Sequence, residues 1–117
     1  MKNLEQIGKT VHAVHRAYCK ENNIPTQPKW EDVESEHKEC IYNSVKNILN
    51  GNISTVEESH DNFIKLKISQ GWQFGETYSI EDKLNPRLVD FSRLTLEQRT
   101  KESLFFECVN SFKIQTL

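Results

Sequence analysis

At 117 residues the chain fits one domain, and a hydrophobic content of 36%, against a usual range of about 45–50% that also counts Gly, gives that domain a thin core. The 15 Lys and Arg against 17 Asp and Glu leave a formal charge of -2, which excludes a generally basic surface for DNA, RNA or acidic membranes and confines any anion site to a local patch. No apolar run approaches the roughly 20 residues that cross a bilayer.

The opening segment, Met1 to Lys9, interleaves charge with apolar residues and lacks the continuous apolar stretch of a secretory signal. Leu4, Ile7, Val11, Val14 and Tyr18 then fall at steps of three and four, one stripe along a first helix that ends at Asn22-Asn23. Ile24-Pro25-Thr26-Gln27-Pro28 is a loop, because proline lacks the amide hydrogen and biases its predecessor away from helical angles. A second helix is predicted from near Glu31 to Asn50, with Val33, Cys40, Ile41, Val45, Ile48 and Leu49 on its buried side. Its first turn is acidic, as the helix dipole favours, and Gly51 stands at the left-handed stop.

Thr55-Val56-Glu57-Glu58 is a capping box that opens a third helix running to Gly71. Trp72 and Phe74 alternate with polar residues, the pattern of a short strand or extended segment. Residues 76–93 are rich in turn formers, with Asn85-Pro86 as the firmest breaker. Thr95-Leu96-Glu97-Gln98 is a second capping box, followed by a final helix with Leu104, Phe105, Cys108, Val109 and Phe112 on its core face. The predicted fold is mainly α: four helices with a small extended element between the third and fourth.

Cys19, Cys40 and Cys108 are odd in number and widely spaced, which predicts reduced thiols in a cytoplasmic compartment. His12, His15 and Cys19 share one helical face and are zinc-ligand types, but no second Cys/His pair follows at metal spacing, and packing is the favoured account of them. A cysteine nucleophile needs an adjacent base, which spacing alone does not supply. No phosphate-cradling glycine loop is present, so neither a metal nor a cofactor is expected.

The segment from His60 to Phe91 is richer. His60, Phe63 and Lys67 lie at i, i+3 and i+7, setting an imidazole, a ring and an ammonium on one helical face. Trp72 and Phe74 follow at once, and Arg87 comes after Asn85-Pro86. An aromatic slab beside two cations suits a planar base with phosphates: stacking is worth roughly 1–3 kcal/mol per base and a charged hydrogen bond to phosphate about 1.5–3 kcal/mol. By pattern alone the favoured reading is that Phe63, Trp72 and Phe74 are core and Lys67 and Arg87 a solvated face.

The run from His60 to Gly75, with Gly71-Trp72-Gln73-Phe74-Gly75 at its end, resembles the ryanodine-receptor repeat (RyR) domain, whose pattern is a His-Asn/Asp-x-Trp helix leading into Gly-Trp-x-Tyr-Gly. Asn85-Pro86-Arg87-Leu88-Val89-Asp90-Phe91 is similar to that family's Pro-x-Leu-Val-Pro-Tyr stretch, and Leu94 to Lys101 to its following helix start. The resemblance covers about residues 55–112, and the N-terminal extension over 1–54, including Gln27 to Asp32, resembles short stand-alone members found in bacteria and bacteriophages. It implies a helical repeat that pairs about a pseudo-twofold axis, here as a homodimer. It also implies an adenine-nucleotide-like site in which Phe63, Lys67 and Arg87 stand at the family's Trp, Arg and Arg positions. Phe is a smaller slab than Trp, Lys lacks the bidentate fork of Arg, and Asp90 and Phe91 replace the usual Pro and Tyr.

The expectation that follows is a non-catalytic binder of a small nucleotide, encoded by a phage and acting as a sponge for a nucleotide immune signal, a cyclic nucleotide or an ADP-ribose derivative. Phe63 and Trp72 would wall the base, Lys67 and Arg87 would hold phosphates, and His60, Phe74 and Phe91 would be accessory. The alternative from another class is a protein-interaction module whose acidic segment from Glu31 to Glu39 faces a basic host protein. An enzyme would need a general base in the pocket, for which Asp61 and Asp90 are the local carboxylates.

Overall fold

Apolar side chains at helical spacing draw four amphipathic helices together: α1 (Leu4–Glu21), α2 (Ser35–Leu49), α3 (Val56–Ser69) and α4 (Leu96–Asn110). The computed structural model describes residues 4–116, so the first three residues of the opening segment lie outside it. The helices α2 and α4 pack on one another, and each packs on both α1 and α3. Their shared core holds Ile7 and Val11 of α1, Ile41, Val45 and Ile48 of α2, Phe106 and Val109 of α4, and Trp30 and Ile53 from the connections. No described helix is long and apolar enough to cross a membrane.

The helix ends follow their sequence signals with two differences. At Thr95–Gln98 the capping box is complete, each side chain bonded to the other's backbone amide. At Thr55 only half of it forms: the hydroxyl accepts from Glu58 N at 3.1 Å, while the Glu58 carboxylate reaches one residue further back, to Ser54 N at 2.7 Å. The second helix begins at Ser35, not near Glu31, because Trp30–Asp32 forms a separate 3-10 turn that buries Trp30 before the chain straightens at Val33.

The buried faces are rotated from the expected ones at both ends of the chain. In α1, Val14 is 38% exposed, while His12 and Cys19 are buried beside Ile7 and Val11. In α4 the inward residues are Glu102, Phe106 and Val109, and Leu104, Phe105 and Cys108 are only half-buried. Phe112 lies beyond α4, in the turn Ser111–Thr116.

Between α3 and α4 the described residues form no β-strand. Trp72 is buried but Phe74 is 51% exposed. In place of a strand, Gln73 bridges Leu84 and its neighbours, with Gln73 N donating to Lys83 O and Asn85 N to Gln73 O, both at 3.0 Å. Ser79 and Leu84 exchange two backbone bonds of 2.9 Å, which closes the intervening turn. Gly75 permits this folding-back: a Cβ there would lie 2.6 Å from Leu84 Cβ and 3.0 Å from its Cγ. Gly75→Ala therefore lowers stability by about 1–3 kcal/mol through overpacking. A urea unfolding midpoint equal to that of the parent would contradict this packing.

Candidate functional site

The site begins at the C-terminus of α3. Gly71 adopts φ +93, a left-handed angle that favours glycine, and the helix closes with Gly71 N bonded to Ile68 O and Trp72 N to Lys67 O, at 3.0 and 2.9 Å. This pair of bonds is a Schellman motif, which brings the side chains at its two ends into contact. Those ends are Lys67 and Trp72, and the Lys67 ammonium lies 5.0 Å from the Trp72 ring centroid. One turn earlier on the same face is Phe63, with Lys67 Nζ 6.0 Å from its centroid.

Arg87 arrives from the other side. Asn85, buried, accepts from Arg87 N at 2.8 Å and holds the turn after which the guanidinium lies 4.1 Å over the Phe63 ring. Phe63, Lys67, Trp72 and Arg87 are thus one cluster. The expected open slab is already covered, however. Arg87 lies on Phe63, and Tyr78 stacks on Trp72 with ring centroids 5.7 Å apart. Tyr78 itself is half exposed.

Arg87 also has a buried partner. Its Nε and Nη2 donate to Glu102 Oε2 at 3.1 and 2.6 Å. The same oxygen accepts from His60 Nδ1 at 3.1 Å, and His60 Nε2 donates to Val89 O at 2.7 Å. An oxygen acceptor at each ring nitrogen is the arrangement that suits a doubly protonated imidazole. Burial opposes that charge, but the bond to Glu102 and its negative charge outweigh burial and raise the His60 pKa above its ordinary value. Burial likewise opposes ionisation of Glu102, yet Arg87 and His60 bring its pKa down to about 2. His60 is fully buried, stacked near Phe63 and edge-on to Phe91, so its place is in the packing of α3 against α4. Arg87 accordingly has a structural duty besides any ligand.

Lys67 is different. It is 4% exposed, and its ammonium lies by two rings, is bonded by the Cys40 thiol and is attracted by the Glu36 carboxylate. Burial pushes its pKa below the ordinary lysine value. It lines a cavity of about 100 Å3 with Trp72, Tyr78, Asp32, Glu34 and Glu36. Glu36 accepts weakly from Trp72 Nε1 at 3.4 Å and pairs with Lys83 at 3.7 Å. His37 also faces the cavity, and burial, aided by the charges of Lys67 and Arg87, lowers its pKa to about 3, so it is neutral at pH 7.

The other candidates do not gather here. Phe74 is exposed, and Phe91 meets the site through His60. Asp90 is occupied as a cap, accepting from Ser92 N and Oγ, and Asp61 is exposed. His12 turns away to Pro28 O at 2.7 Å and packs on Trp30, leaving His15 and Cys19 at 3.9 Å from each other. Among the described residues no group of three His, Cys, Asp or Glu side chains is placed to hold a metal. Sequence reasoning missed Glu102, Tyr78 and Glu36; for Glu102 a signal exists, since it lies four and seven residues before the buried Phe106 and Val109, a carboxylate in an apolar stripe. No protein-family model matches the chain, and no solved structure matches it.

Proposed function

We propose that the chain is a non-catalytic binder of a small nucleotide and acts by sequestering it. The observation that carries this reading is the pair of cations on one aromatic ring: Arg87 and Lys67 share Phe63. Lys67 also lines the cavity beside Trp72, where a ligand's oxygens would meet its side chain. The resemblance to ryanodine-receptor repeats points the same way, because Phe63, Lys67 and Arg87 stand at positions similar to that family's nucleotide-site residues. Short members of that family in bacteria and phages suggest the ligand class, a nucleotide signal of a bacterial defence pathway in the cytoplasm, a cyclic nucleotide or an ADP-ribose derivative. A homodimer, as the repeat architecture implies, would enlarge a cavity that alone is smaller than the roughly 300 Å3 of ordinary ligand sites.

The test is a thermal-shift and calorimetric screen against ATP, GTP, ADP-ribose and cyclic di- and oligonucleotides. A bound ligand at a hundred times its Kd adds about 2.7 kcal/mol, and the nucleotide should be recovered chemically unchanged. Lys67→Met, which keeps the buried stem and removes the charge, lowers affinity more than tenfold with the fold retained. Equal affinity in that variant would remove the assigned site.

A second reading has its own observation. Phe74, Tyr78 and Ile80 are about half exposed on one loop, amid the exposed Glu76, Glu81 and Asp82, and Asp32 and Glu34 are exposed at the neighbouring cavity. Apolar side chains ringed by carboxylates suit a basic protein partner. Silence across the nucleotide panel, with one stoichiometric protein recovered from host lysate, would transfer the function to this surface.

A further inference from the structure

The chain leaves α2 through a chemically reactive pair. Of its asparagines only Asn50 is followed by glycine, and the pair exists because of how the helix ends. Asn50 closes α2 at φ -89 and ψ 2, and Gly51 turns the chain at φ +87, an angle that favours glycine. Glycine is also the residue that least obstructs its own amide nitrogen. A Cβ at position 51 would meet nothing within 4 Å, and both residues are exposed. The approach to that nitrogen is therefore open.

The Asn50 side chain is bent along the backbone that follows it, because its Oδ1 accepts from Asn52 N at 3.0 Å. That bond draws electron density from Cγ and sets an N–H donor at the oxygen where negative charge gathers during attack on the carbon. The Gly51 amide donates to Ile48 O at 3.2 Å, a long bond at an exposed helix end, where local opening is cheap. Opening it lets ψ of Asn50 turn and bring Gly51 N to Cγ. Other asparagines lack one part or another. Asn43 and Asn47 lie within α2, where the next amide is held in the helix. Asn23 and Asn52 precede isoleucine, whose branched side chain crowds the amide, and Asn85 precedes proline, whose nitrogen has no proton to release.

We propose that Asn50 is a site of spontaneous deamidation through a cyclic imide. The Gly51 nitrogen, having given its proton to water, bonds to Asn50 Cγ. The bond from Cγ to Nδ2 breaks, and the side-chain nitrogen leaves as ammonia with a proton taken from water. Water then opens the five-membered imide. Attack at the former side-chain carbonyl leaves aspartate, and attack at the backbone carbonyl leaves isoaspartate, in which the main chain runs through the β-carbon. No oxidant or reductant is consumed.

The products act on the connection between α2 and α3. Both put a carboxylate at the C-terminus of α2, where the helix dipole is already negative. Isoaspartate also lengthens the main chain by a carbon atom just ahead of Ile53, which is 5% exposed in the core and whose amide donates to Asn47 O at 3.0 Å. The longer connection draws Ile53 from that seat and lowers stability.

The experiment is incubation of the full chain at pH 8 for several weeks, followed by peptide mass mapping, labelling with an isoaspartate methyltransferase, and urea unfolding of the converted fraction after charge separation. Asn50 is expected to exchange NH2 for OH roughly tenfold faster than any other asparagine and to accept the methyl label. The converted protein should unfold at a lower urea midpoint than fresh protein. Asn50→Gln, whose closure would need a six-membered imide, changes an exposed side chain at a helix end, so the protein folds, and it should keep both its mass and its midpoint. Conversion at Asn50 no faster than at the other asparagines, or methyl labelling that persists in Asn50→Gln, overturns the site. A converted fraction with the midpoint of fresh protein overturns the effect on Ile53.

Discussion

Glu102→Ala is expected to lower the free energy of unfolding by about 3–5 kcal/mol, the range for removing one partner of a buried ion pair. One carboxylate oxygen accepts from Arg87 Nε, Arg87 Nη2 and His60 Nδ1. Without it, the fully buried His60 loses the partner that favours its charged form, and the Arg87 guanidinium is left on the Phe63 ring. Glu102→Gln keeps an acceptor oxygen and costs less. Urea denaturation at pH 6 measures both, and a parental midpoint for the alanine variant would show that the network holds nothing together.

The same network gives a pH profile. Glu102 has a folded pKa of about 2 against an ordinary 4.5, so its contribution is present above about 4.5 and is lost as pH falls from there toward 2. His60 is shifted the other way, upward from 6.5. Its contribution is present in full below 6.5 and is lost as pH rises through the folded value. The triad therefore stabilises most between about 4.5 and 6.5, and Glu102→Ala should flatten both flanks of the stability profile.

Phe106→Ala is the second large effect. Phe106 is 5% exposed in the core cluster with Ile48 and Val45, both 0% exposed, and truncating a buried phenylalanine costs about 3–5 kcal/mol through lost transfer energy and the cavity left behind. Phe105, next in sequence, is only half-buried and packs at the edge of the same cluster, so Phe105→Ala should cost clearly less. Equal losses for the two would contradict the helix rotation seen here.

Much of the framework was legible in the residues. Both capping signals mark true helix starts, and both glycine stops, Gly51 and Gly71, adopt left-handed angles. The proximity of Lys67 to Trp72 was also readable in principle, because a glycine stop of this type brings the side chains on either side of it together. The rotation of α4 was harder to read. Leu104, Phe105, Cys108 and Phe112 are apolar, but so is Phe106, and apolar residues run almost around that helix, so its stripe does not settle its own phase.

Local spacing alone determined four helices, their boundaries to within a few residues, and a face carrying His60, Phe63 and Lys67, because capping, proline breaks and helical periodicity act within a few residues of chain. Tertiary structure decided what those side chains meet. Arg87 and Glu102 are separated by 15 residues and His60 and Glu102 by 42, so their shared oxygen exists only once α3, α4 and the Asn85 turn have packed. The same packing laid Arg87 on Phe63 and Tyr78 on Trp72, covering rings that spacing alone would leave open, and set Lys67 on one cavity with Asp32, Glu34 and Glu36. Long-range convergence of charge depends on how helices and loops close on one another, and no short window of sequence carries that information.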